Sequence, residues 1–87
     1  MNIQQTINEI AERENIQDVE RIKPLIFPLA GKNGLLLGYE ATSEEGRTYC
    51  WTPTGRLAAI SANRDEAVRE LWKRELARVN GYTVKRD

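Results

Sequence analysis

Three clusters of turn-forming residues, Gly31-Lys32-Asn33-Gly34, Ser43-Glu44-Glu45-Gly46 and Pro53-Thr54-Gly55, cut the middle of this chain into pieces too short for helices. Asn-Gly is the strongest short hairpin signal. The pieces between the turns carry strand-forming residues: Leu35 to Thr42, then Arg47 to Thr52 with Thr48, Tyr49, Trp51 and Thr52, then a weak Leu57 to Ile60 in which two of four residues are alanine. Leu25-Ile26-Phe27-Pro28-Leu29 reads as one more extended piece, and Pro28, which has no N–H to donate, places it at a sheet edge. Strands joined by tight turns are antiparallel, so residues 25–61 are expected to form a meander of three or four strands.

The flanks have a different period. Ile3, Ile7 and Ile10 fall on one helical stripe, widened by Ala11. The phase fails after Glu14-Asn15, where asparagine can adopt the left-handed conformation that ends helices. A short second helix is expected over about Gln17 to Ile22, stopped by Pro24. Asn63 and Glu66 have capping-box spacing. Val68, Leu71, Trp72, Leu76 and Val79 follow on one face, and Asn80-Gly81 is the expected stop. The expectation is a single α+β domain over residues 1–87: a helical segment over 1–22, an antiparallel meander over 25–61, a long C-terminal helix over 63–80 packed on the sheet, and a tail over 82–87.

A chain of 87 residues buries roughly 60–65% of the surface its unfolded form exposes. That leaves room for one core and little for a deep enclosed site. The lone cysteine, Cys50, rules out an internal disulfide, and no apolar run is long enough for a signal peptide or a membrane span. A reducing cytoplasm is the expected location. Net charge is zero but uneven: residues 1–22 carry five acids and two bases, and residues 56–87 carry eight bases and five acids.

The chain contains no histidine. That removes the commonest general base near neutral pH, the Ser-His and Cys-His nucleophile pairs and the His-containing zinc sites. Gly31, Gly34 and Gly38 lack the following helix that a phosphate loop needs. The carboxylate pairs Glu44-Glu45 and Asp65-Glu66 lie in a turn and in a first helical turn, where solvation and the helix dipole account for them. No enzyme activity, cofactor or metal is expected.

Some positions stand out as candidate contact residues. Leu35-Leu36-Leu37 is apolar on both faces of its strand, so one face meets helices and the other needs the N-terminal helix or a second copy of the chain to cover it. Alternation puts Tyr49 and Trp51 on one face and Thr48, Cys50 and Thr52 on the other. The two aromatics are core if the helices cover their face, and an exposed platform if not. Glu75 falls within the apolar face of the C-terminal helix, so it either reaches water past the sheet's end or enters an ion pair, for instance with Arg13 or Arg47.

Two functional readings follow. The favoured one is a non-catalytic protein-binding domain (a small regulator, inhibitor or assembly factor), self-associating and using Leu35, Leu36, Leu37, Trp51 and Glu75. The alternative is a nucleic-acid-binding domain using Lys32, Arg47 and Arg56 around the hairpins with Arg69 and Lys73 on the helix. Glu40, Glu44 and Glu45 interrupt the basic field that phosphate contacts need. A helix-turn-helix over Ile10 to Ile22 is rejected, because its second helix would be two turns long and mostly acidic.

Overall fold

The computed structural model describes residues 2–28 and 34–83, residues 76–83 by backbone alone. In chain order the elements are α1 (Ile3–Glu14), a single 3-10 turn (Val19–Arg21), β1 (Lys23–Phe27), β2 (Leu35–Thr42), β3 (Thr48–Trp51), β4 (Leu57–Ser61) and α2 (Arg64–Thr83). The four strands form one antiparallel sheet in the order β1-β2-β3-β4. The α+β architecture and meander expected from the turn clusters are present.

The ends of the elements follow local chemistry. Asn2 caps α1 by accepting from the Gln5 N–H at 2.6 Å. Asn15 ends the helix in the left-handed conformation (φ 60°), and Ile16 donates back to the Ala11 carbonyl at 2.8 Å. At α2, the Asn63 side chain accepts from the N–H groups of Asp65 and Glu66. The expected reciprocal contact from Glu66 runs through Ser61, whose hydroxyl accepts from the Asn63 N–H and donates to Glu66 Oε1 at 2.9 Å.

Three boundaries depart from expectation. The second helix is one 3-10 turn, held by Asp18 accepting from the Glu20 N–H. Residues 17–22 are too few to repay helix nucleation once Pro24 forbids extension. The first strand begins at Lys23 and includes Pro24, which an edge strand tolerates. The helix α2 does not stop at Asn80-Gly81 but continues to Thr83. Glycine inside a helix costs only about 1 kcal/mol, and without a left-handed turn it stops nothing. Of the expected tail, residues 84–87 lie outside the described residues.

Each helix covers a different face of the sheet. On one face Ile7, Ile10 and Ala11 of α1, with Ile22, pack on Tyr39, Ala41 and Trp51. On the other, Ala67 and Leu71 of α2 pack on Leu35, Leu37 and Cys50, with Leu25, Phe27, Val68 and Trp72 around them. Phe27 and Trp72 meet with ring centroids 4.9 Å apart. Simple alternation would keep Leu35, Leu37, Tyr39 and Ala41 on one face. A β-bulge prevents this: Leu25 pairs with Gly38 and Ile26 with Leu36, so Leu37 is the extra residue. The parity resets there, sending Leu35 and Leu37 to α2 and Tyr39 and Ala41 to α1.

Gly38 makes the reset sterically feasible. Its φ is +151°, and a Cβ on it would fall against the Trp51 carbonyl oxygen and 3.0 Å from Leu71 Cδ2. A second bulge, between Cys50 and Trp51, leaves Ala58 extra on β4. Leu57 and Ile60, three residues apart, therefore share the α1 face, paired with Trp51 and Tyr49 respectively.

Candidate functional site

The α1 side of the sheet holds a concavity. The C-terminal end of α1 forms one wall and the β2–β3 hairpin the other. The hairpin turn is closed by Ser43, whose N–H donates to the Arg47 carbonyl and whose own carbonyl accepts from Gly46. Between them lies a groove of about 480 Å³, lined by Glu14, Ile16, Asp18, Arg21, Ala41, Glu44 and Tyr49 among others.

The lining is acidic and aromatic. Three carboxylates face one guanidinium: Arg21 stands 3.4 Å from Glu44 and 4.0 Å from Asp18. Trp51 donates its Nε1–H to Glu14 Oε2 at 3.4 Å, joining the end of α1 to the sheet. Arg13 donates to the Gly55 carbonyl, joining the same helix to the β3–β4 turn. Tyr49 stacks beside Trp51 with ring centroids 6.1 Å apart and planes 16° off parallel. Trp51 is 1% exposed, whereas Tyr49 is half-buried and forms part of the groove floor.

From Tyr49 the same face continues onto β4. Helix α1 does not cover it there: Leu57 is 45% exposed and Ile60 47%. On the opposite edge of this face, Ile26 is also about half exposed. The result is an apolar strip on β4 that runs from Tyr49 across the sheet's last strand.

The other face carries an ion pair. Arg64 at the start of α2 donates through Nε and Nη to both oxygens of Glu40, each at 2.7 Å. Glu40 is cross-strand from Cys50 on β3. Burial pushes the Cys50 thiol up from the ordinary 9.0 to about 11; the Glu40 carboxylate adds to the rise and Arg64 opposes it. A thiol held neutral in a packed core is a poor nucleophile. Iodoacetamide is expected to leave native Cys50 essentially unmodified at pH 8 and to alkylate it at the free-thiol rate after unfolding. The folded pKa lies above the unfolded one, so this group's contribution to stability is intact below pH 9 and is lost as pH rises through about 11. Urea midpoints measured from pH 8 to 11 in the chain and in Cys50→Ala check this, the variant showing the shallower decline.

The residues singled out in the sequence are dispersed. Leu35, Leu37 and Trp51 are core residues, so they present no surface on the folded monomer; Leu36 is half-buried against the α1-side core. Cover by the two helices, one to a face, is the reason. Glu75 is half-buried on α2, and Arg13 lies beyond the opposite face of the sheet. Lys32 lies outside the described residues. Arg47 and Arg56 are both exposed but follow turns at opposite ends of β3, and Arg69 and Lys73 are exposed on α2. These bases are not gathered into one field.

Sequence reasoning missed Tyr49, Leu57 and Ile60 as a shared surface. Their spacing hides it, because only the bulge at Ala58 puts residues three apart on one face.

Among the described residues no cluster of three or more His, Cys, Asp or Glu is arranged to hold a metal ion, and no helix is long and apolar enough to cross a membrane. No protein-family model matches this chain, and no curated protein or solved structure is detectably similar to it.

Proposed function

We propose that this chain is a non-catalytic protein-binding domain whose contact surface is the β4 side of the α1 face, Tyr49 with Leu57 and Ile60, bordered by the acidic groove. The observation that carries this reading is the exposure of two large aliphatic side chains, Leu57 and Ile60, on the same face of β4. An apolar centre with a charged rim is the usual anatomy of a protein contact. The absence of histidine and the burial of the only thiol are consistent with a domain that works by contact rather than chemistry.

Chemical cross-linking and affinity capture from the native host tests it, with the chain and its Leu57→Lys/Ile60→Lys variant as parallel baits. Both side chains are half in water, so the variant is expected to fold. A specific partner is expected to be enriched by the parent and lost by the variant. Identical captures by the two baits would refute the assignment of this surface.

A further inference from the structure

The sheet's two edges are unlike. The outer edge of β1 carries Lys23 and Pro24, a charge and a missing donor that discourage further pairing. Strand β4, Leu57-Ala58-Ala59-Ile60-Ser61, has no charge and no proline, and it ends the sheet. An apolar, uncharged edge strand is a template for another strand.

Resting on the protein-binding reading, we infer that the occupant of the β4 edge is β4 of a second copy, paired antiparallel about a twofold axis between Ala58 and Ala59. The argument is self-complementarity. In this register Leu57 of each copy meets Ile60 of the other, and Ala58 meets Ala59, so large opposes large and small opposes small. A twofold perpendicular to the sheet requires cross-strand partners to share a face. Residues three apart do not share a face in a regular strand. They do here, because the Ala58 bulge turns Leu57 and Ile60 to the same side. Arg56 then falls beside Ser61 of the second copy, whose hydroxyl is bonded to Glu66 Oε1. Each end of the contact thus places a guanidinium near a carboxylate. The product is an eight-stranded sheet with the α1 helices on one side and the α2 helices on the other. Two five-residue strands make a small contact, so the association is weak and depends on concentration.

Sedimentation equilibrium on the purified full chain tests this. A reversible monomer–dimer equilibrium is expected, weakened at least tenfold in Leu57→Lys/Ile60→Lys. Arg56→Glu alone is expected to weaken it and Arg56→Glu with Glu66→Arg to restore it. An oxidised mixture of Leu57→Cys and Ile60→Cys proteins is expected to yield a disulfide-linked heterodimer, with little linkage in either alone. A monomer up to about 1 mM, or a dimer unmoved by the lysine pair, would overturn the inference. Because these measurements use the purified chain alone, a monomeric result leaves the capture experiment to judge the wider protein-binding reading separately.

Discussion

Replacing Gly38 by alanine is expected to destabilise the fold by about 2–5 kcal/mol, the sum of a strained φ and an overpacked contact. The backbone there has φ +151°, which L side chains rarely adopt. The added methyl would press on the Trp51 carbonyl oxygen and approach Leu71 Cδ2 at 3.0 Å. Leucine 71 can shift a rotamer; the carbonyl cannot move without disturbing the β2–β3 ladder, in which Tyr39 pairs with Trp51. A domain of this size has about 4–13 kcal/mol of stability in all, so the loss is a large share. Gly46→Ala is the control. That residue also has positive φ, +89°, but nothing lies within 4 Å of the added methyl, so its cost is expected near 1 kcal/mol. Urea unfolding of the two variants measures the difference. Equal losses would mean that the close approach to Trp51 contributes nothing.

This bulge also marks the limit of what the chain's pattern discloses. Turns and caps are local: Asn15, Asn63 and the turns at Ser43–Gly46 and Pro53–Gly55 act on neighbouring backbone and are readable within a residue or two, while residues 31–33 of the Asn-Gly turn lie outside the described residues. The alternation of Tyr49, Cys50 and Trp51 was readable because β3 is regular. The faces of Leu35–Ala41 were not, since the parity change at Leu37–Gly38 depends on how β1 pairs with β2 and on the packing of Gly38 against Trp51. The same holds for Leu57 and Ile60, which looked like a weak strand and became a surface only through a second bulge. Glycine misled in two directions. Gly81 seemed a stop and is inside a helix, whereas Gly38 seemed one of a hairpin series and determines which residues meet which helix. Of the candidate contact residues, Leu35, Leu37 and Trp51 stand out in the sequence by hydrophobicity, and hydrophobicity selects the core.

Truncating Trp51 to alanine is expected to cost about 3–5 kcal/mol, the range for a large aromatic removed from a packed interior. The loss should not be spread evenly. A 12-residue helix such as α1 is marginal on its own in water, and its attachment to the sheet is narrow. Ile7, Ile10 and Ala11 pack on a surface in which Trp51 is the largest side chain, and Glu14 is tied to the indole N–H. Among the described residues, the helix α2 packs on the opposite face through Leu71 and Ala67, in a cluster separate from the one that holds the ring. Hydrogen exchange on Trp51→Ala should therefore show α1 amides losing far more protection than α2 amides, at matched overall stability. Trp51→Phe separates the two contributions: it retains much of the apolar bulk but removes the donor to Glu14, so a loss near 1–2 kcal/mol is expected from a smaller ring and one charge-assisted hydrogen bond. Uniform loss of protection in both helices would show that the two faces unfold as one unit and that α1 is not the weaker layer.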